Sequence, residues 1–269
     1  MAEAPGGQSA SPGSVVDSSI ALTAAGNVRS DAKGLDKCGA PSHPQMNAFY
    51  SGTDWFWWGI YIGGSNMACP NTNVTASYIN QEVGPWRMLF IWVGPQPPCS
   101  GGPSTFSSNT TTAFNQGQTT AQNAYLHAKN DLNLNTDDLP IVFDLEAYDS
   151  SNASCLAATK AFLRGWTTSL HQGPDQRSGV YGSSCGSALD DYYGISPNPD
   201  FIWGANFGTT SHTSSLSCVA SNHWGDRRHK QYEGDVQRTE NGITLDVDVD
   251  CSAGPLYGIQ DTPVYAACS

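Results

Sequence analysis

Polar and apolar positions alternate, or run apolar, in eight strand-length segments: 34–38, 58–63, 87–93, 140–147, 178–183, 201–206, 230–234 and 243–249. Three longer stretches with helical spacing, 73–83, 111–132 and 154–171, fall between them,. Asn73 and Ser154 stand where helix caps are expected, and Gly117 is expected to interrupt the second helix,. Strands alternating with helices predict βα units around a parallel sheet. Eight strands are the number that closes a TIM-like (β/α)8 barrel, so the fold class is α/β. The later connections are short and rich in Gly, Pro and Ser, so helices are expected to be degenerate or missing in the second half. Residues 1–32 show no sustained period and read as a flexible leader, which leaves 33–269 as one barrel domain,.

Within the fourth segment, IVFDLEAY (residues 141–148), two carboxylates interrupt an otherwise apolar run. Asp144 and Glu146 are two positions apart and so share a strand face, roughly 6.5 Å from each other at ~3.3 Å rise per residue. Val142 joins them, while Ile141, Phe143, Leu145 and Ala147 form the opposite face. Ionised carboxylates are costly to bury without partners, so the pair belongs either at a wet pocket or on a solvent-facing sheet. Two further segments carry acids. Asp36 shares a face with Gly34 in the first, and Asp246, Asp248 and Asp250 share one in the last. In a parallel barrel the first and eighth strands are neighbours, and active sites sit at the C-terminal ends of the strands. All of these acids would then meet at one mouth. The last segment also fits a solvent-facing strand, but not a calcium loop: Cys251 occupies the sixth position, which an EF-hand gives to Gly,.

Composition narrows the partners. Twelve basic residues against 24 acidic ones give a net charge of −12, which repels nucleic acid and anionic membranes,. No stretch approaches 18 apolar residues, so no membrane insertion is expected. Eight cysteines without a CxxC pair predict four disulfides in an exported protein, with pairing left open,. A secretory signal is absent from residues 1–30, which fits a mature form with an added start Met,. Three N-x-S/T sequons, at Asn73, Asn109 and Asn152, are no more than this composition supplies by chance. No HExxH, Walker loop or dinucleotide fingerprint occurs, so no cofactor or metal is implied, and a monomer is expected.

Paired carboxylates beside aromatic residues are the equipment of glycosidic bond cleavage, in which one acid donates a proton and another stays charged. Tyr61, Trp92, Tyr148, Tyr181, Trp203 and Tyr232 fall at or near strand ends. Flat rings cover the apolar C–H faces of sugars. With Asn206, Gln231, Asp246 and Asp248, they make up the expected substrate-binding set. A rival motif is Gly182-Ser183-Ser184-Cys185-Gly186, a G-x-S-x-G after a strand,. It would make Ser184 a nucleophile, completed by Asp200 or Asp226 and by His212, His223 or His229.

Residues 33–42 (KGLDKCGAPS), 59–64 (GIYIGG), 141–146 (IVFDLE) and 179–182 (GVYG) resemble the glycoside-hydrolase-like domain of secreted actinobacterial proteins. That domain is itself similar to family 25 lysozymes, which cut the muramic acid linkage of peptidoglycan. The resemblance runs from Lys33 to about Ser252. It implies a modified TIM-like barrel with Asp36, Asp144 and Glu146 in its mouth. It also implies Glu146 as general acid, Asp144 as the acetamido-orienting or stabilising carboxylate, and Asp36 as the first-strand acid. Where family 25 enzymes carry a further acid near the sixth strand, this chain has Trp203, Gly204 and Asn206. The expectation is a secreted glycoside hydrolase acting on a cell-envelope polysaccharide, peptidoglycan or an arabinogalactan-type glycan. A barrel that binds wall glycan without cutting it is the alternative. As a general acid, Glu146 would need a raised pKa, which an aromatic, partly dry mouth would supply.

Overall fold

The computed structural model describes residues 31–172, 176–258 and 268, with the backbone of 26 and 27. Most of the expected leader lies outside the described residues. All eight expected strands are present: β1 Ala32–Lys37, β2 Trp57–Gly63, β3 Arg87–Trp92, β4 Pro140–Asp144, β5 Arg177–Ser183, β6 Phe201–Ala205, β7 Arg228–Glu240 and β8 Ile243–Ser252. They close into one barrel in chain order. Beneath it Gly26–Asn27 pairs with Pro255–Leu256.

The barrel is not all-parallel. β1 to β7 run parallel, but β8 is antiparallel to both β7 and β1. The cause lies in the connection, because only Asn241 and Gly242 separate β7 from β8. Both have positive φ (48° and 81°), the geometry of a two-residue hairpin that Asn-Gly favours,. A parallel return would need a dozen residues or more. The hairpin outgrows the barrel, and its tip is tied to the first helix by Asn241, whose Nδ2 donates to the carbonyls of Ala48 and Ser51 at 2.7 and 2.9 Å.

Helices follow the first four strands: α1 His43–Tyr50, α2 Ala76–Glu82, α3 Thr110–Leu126 and α4 Ala153–His171. A π-helical turn, His127–Asp131, extends α3. After β5 only a 3-10 helix, Leu189–Gly194, remains. Among the described residues none follows β6 or β7, in line with the expected degeneration. The caps differ from expectation. Thr75 accepts from the Tyr78 amide at the start of α2, and Asn152 accepts from Ser154 and Cys155 at the start of α4. In each case the residue nearer the first turn, or one step before it, presents its oxygen to the free amides.

Gly117 does not interrupt α3. It lets α3 lie directly on α4, since a Cβ there would sit 2.1 Å from the Phe162 carbonyl oxygen. Gly165 of α4 is its counterpart, 2.0 Å from the Phe114 oxygen by the same measure. Gly165→Ala is therefore expected to destabilise the protein. Alanine is the better helix former by ~0.8–1.0 kcal/mol, but overpacking costs about 1–3 kcal/mol and here it strikes backbone that cannot swing aside. Urea denaturation of the two proteins checks this; an equal or higher midpoint for the variant would contradict it.

Alternation sorts side chains into two layers. Leu35, Trp58, Ile60, Phe90, Phe143 and Val180 face the helices, while Trp57, Leu89, Ile91, Val142, Phe201 and Trp203 fill the barrel. Disulfides Cys38–Cys69, Cys99–Cys155 and Cys185–Cys218 join segments that follow parallel strands, Cys155 lying in the first turn of α4, and so staple the C-terminal rim. Cys251–Cys268 closes the other end. No described helix is long and apolar enough to cross a membrane.

Candidate active site

Asp36 is fully buried on the inner face of β1, at the rim end of the barrel. Because β8 is antiparallel, its acids descend into the barrel: Asp248 is in register with Asp36, and Asp250 lies deeper, in register with Gly34. One amide organises them. Gln231 Nε2 donates to Asp36 Oδ2 at 2.8 Å and to Asp248 Oδ2 at 3.2 Å, and its Oε1 accepts from the Tyr181 hydroxyl at 2.8 Å. The Tyr61 hydroxyl donates to Asp36 Oδ1 at 3.1 Å. Below, Trp203 Nε1 donates to Asp250 Oδ1 at 3.0 Å. The Asp235 amide donates to Asp248 at 2.6 Å.

This interior favours the protonated acids. Burial, and then the neighbouring Asp248, push Asp36 up to about 7. Burial, followed by Asp36, lifts Asp250 well above the ordinary carboxylate range. Asp144, on the inner face at the end of β4, is raised well above that range too, by burial first and then by Glu146 and Asp36. Its Oδ1 is buried without a hydrogen-bond partner. Burial likewise raises the Tyr61 and Tyr181 hydroxyls, so both remain donors at neutral pH.

β4 ends at Asp144, three residues earlier than the pattern implied, and Glu146 lies exposed just beyond it. The agent is Gln96, from the loop after β3, which is 3% exposed. Its Nε2 donates to the Asp144 carbonyl at 2.9 Å, and its Oε1 accepts from the Glu146 amide at 2.9 Å. One side chain thus fixes the segment that carries both acids. A lone glutamine in a loop gives no sequence signal, and the pattern did not reveal it. Gln96→Ala strips the Gly94 and Asp144 carbonyls of a buried partner, and the half-buried Glu146 amide as well. At about 1–3 kcal/mol for each unsatisfied group, a loss of at least about 2 kcal/mol of stability is expected by urea denaturation; an unchanged midpoint would contradict it.

The remaining expected residues are dispersed. Tyr61 and Tyr181 reach the carboxyl cluster as described. Trp203 points inward but is wholly buried, so it holds Asp250 and offers no face to a sugar. Trp92 lies on the helix side against His127, at 6.0 Å between ring centroids. Tyr148 is buried against Tyr192, its hydroxyl 2.8 Å away. Tyr232 packs on the outer core, and burial raises its hydroxyl to about 12. Asn206 braces its own loop, accepting from the Ser217 amide at 3.0 Å. Asp246 is exposed on the hairpin, opposite Gln237.

The serine-hydrolase constellation does not assemble. Cys185, beside Ser184, is disulfide-bonded to Cys218. Asp200 bonds His171 and the Ser178 amide, His212 bonds Asp31, and His223 bonds Asp190. Asp226 is exposed. His229 lies in the barrel between Trp57 and Phe201, neither ring nitrogen bonded, and burial lowers it to about 3. Among the described residues no cluster of three or more His, Cys, Asp or Glu is arranged to hold a metal.

A closed barrel of this topology, with Asp36 and Asp144 at the C-terminal ends of parallel strands and the last strand's acids beside Asp36, has the form of a glycoside-hydrolase-like, TIM-like barrel. The chain belongs to the Rv2525c-like, glycoside hydrolase-like domain family, whose pattern it matches over residues 55–252. Among solved structures it is similar to an uncharacterized B. stearothermophilus protein, at 18% identity and a TM-score of 0.52, over 81% of this chain and 94% of that one. It is similar also to a family 25 glycosyl hydrolase from Bacillus anthracis, at 15% identity and a TM-score of 0.50, over 87% of this chain and 91% of that one. At such identities the likeness concerns the fold. No curated protein matches the chain.

Proposed function

We propose that this protein is an exported glycoside hydrolase that cleaves a polysaccharide of the bacterial cell envelope, peptidoglycan or an arabinogalactan-type glycan. The observation that carries the reading is the pair at the end of β4. Asp144 is buried and proton-retaining with an unpartnered oxygen, and Glu146 stands exposed beside it. A buried oxygen without a partner is costly, and a sugar hydroxyl or acetamide N–H would satisfy it. Glu146 is the member of the pair that substrate reaches directly, and we assign it proton transfer at the glycosidic oxygen. Asp144 orients the ring. Asp36, held by Tyr61 and Gln231, stabilises charge or positions water. The membership of a glycoside-hydrolase-like family and the family 25 neighbour's fold support this choice. Four disulfides support export, because they persist in oxidising compartments,.

A second reading, a barrel that binds wall glycan without cutting it, is favoured by β6. Its Trp203 is engaged with Asp250 and its following Asn206 with the loop, so that strand supplies no acid. Incubation with peptidoglycan and with arabinogalactan, followed by mass analysis of soluble products, separates the two. Released oligosaccharides are expected; binding with no release from either polymer would favour the second reading.

A further inference from the structure

α3 is a 17-residue surface helix, TTTAFNQGQTTAQNAYL, without a single Asp, Glu, Lys or Arg. It starts at the barrel rim and runs down the outside, and a hollow opens on each side of its Asn115 and Thr119 ridge. Toward the rim, Ser104, Thr105, Thr112 and Gln116 with Pro95 surround about 400 Å³. Toward α4, Asn115, Gln118, Gln122, Tyr125, Ser169 and Gln172 line about 470 Å³. Both volumes lie in the range of ligand sites. The lining side chains are uncharged: amides and hydroxyls, with Pro95 in the rim hollow and the half-buried Tyr125 ring in the other. Two other hollows carry charge: Lys33, Asp54 and Glu240 line one, Lys160 and Arg164 another.

Amide and hydroxyl side chains both donate and accept, so they can match sugar hydroxyls and acetamides without stripping water from an ion, which is the expensive step in burying a charge. The rim hollow adjoins the loop that braces the proposed catalytic segment, since Ser104 lines it. Gln96, which holds Asp144 and Glu146, donates its own amide to the Ser104 carbonyl at 2.8 Å. Gln96 thus ties Glu146 on one side to Ser104 and Thr105 on the other, and those two residues share the rim hollow with the Asn115–Thr119 ridge.

We propose that the α3 face is a second binding site, for an uncharged stretch of the polysaccharide engaged at the barrel mouth. This rests on the glycan reading of that mouth. The ridge places amides and hydroxyls at 115, 119 and 122 on solvent-exposed turns, where alanine preserves the helix,.

The test compares the parent with Asn115→Ala/Thr119→Ala/Gln122→Ala in native gels cast with soluble arabinogalactan or with glycol chitin, alongside product release from short wall oligosaccharides. Retardation of the parent by at least one polymer is expected, with affinity in the triple variant weaker by about tenfold and short-oligosaccharide cleavage equal in both. Equal retardation of the two proteins, or none of either, would overturn the site. Retardation of the parent alone with no cleavage by either protein would uphold the site while the hydrolase reading fails. Matching thermal melts confirm that the variant is folded.

Discussion

Replacing Glu146 with glutamine is expected to lower release of oligosaccharides by about 10²–10⁴-fold, the contribution typical of a positioned general acid or base. The substitution is well isolated. Glu146 is exposed, and what fixes it is its backbone amide on Gln96, which glutamine at 146 leaves intact. An exposed substitution of this kind moves stability by no more than about 0.5 kcal/mol, so thermal melts should coincide with those of the parent. Binding to the insoluble polymer should persist, because the neutral amide keeps the shape of the carboxyl and removes only its proton chemistry. Parent and variant are compared by product yield per hour on the polymer that the parent cleaves. Undiminished release by the variant would end the role assigned to Glu146 and shift attention to Asp144.

The features that were legible in the sequence and those that were not have separable physical causes. The eight strands could be read because burial on both sides of a barrel wall demands apolar residues at nearly every position, broken only by turn formers. The reversal of β8 has its own local signal in Asn241-Gly242,, but the pattern ends the seventh strand at 234, nine residues before Ile243, so the pair does not read as a hairpin. That reversal matters for chemistry. In an all-parallel barrel Asp248 and Asp250 would be the acids nearest the last strand's catalytic end; run the other way, the strand leaves Asp246 outside, sets Asp248 level with Asp36 and sends Asp250 deeper, within reach of Asp36.

The aromatic expectations divide by parity. Tyr61 and Tyr181 share the inward face of their strands with Gly59 and Gly179. Trp92 follows outward Phe90, and Tyr232 alternates with inward Gln231, so period-two counting alone would have removed both. Depth explains Trp203, which has the right parity but sits below the mouth, beside Trp57 at 6.0 Å. Nothing local in the sequence could reveal Gln96, whose role depends on two loops meeting.

Thermal stability is expected to fall as pH rises from about 4 to 7.5, the reverse of a protein whose carboxylates are salt-bridged. The sign follows from proton counts. Unfolded aspartates lose their protons near 3.8, whereas folded Asp36 keeps its proton to about 7, and Asp144 and Asp250 keep theirs well above the ordinary range. Between those limits the folded state binds more protons, so stability decreases with pH. The stabilising contribution is complete below the unfolded value and is lost as each folded pKa is passed. His229 acts in the opposite sense. Lowered to about 3, it is neutral when folded while the unfolded ring charges below about 6.5, so its contribution fades as pH falls,. One ring against three buried carboxyls leaves the net slope negative, and above pH 6.5 the ring no longer contributes. Each pKa unit corresponds to ~1.4 kcal/mol, and roughly 2–4 °C of melting temperature accompanies each kcal/mol in a domain of this size. Asp36→Asn isolates the effect, because it keeps the volume and the acceptor for Tyr61 or Gln231 but cannot titrate, and His229 contributes equally to both proteins. Circular-dichroism melts at half-unit steps should show a shallower decline for the variant between pH 4 and 7.5. A parent melting temperature that holds level or climbs across this window, or identical slopes for the two proteins, would mean that the carboxyl cluster is ionised in the folded barrel.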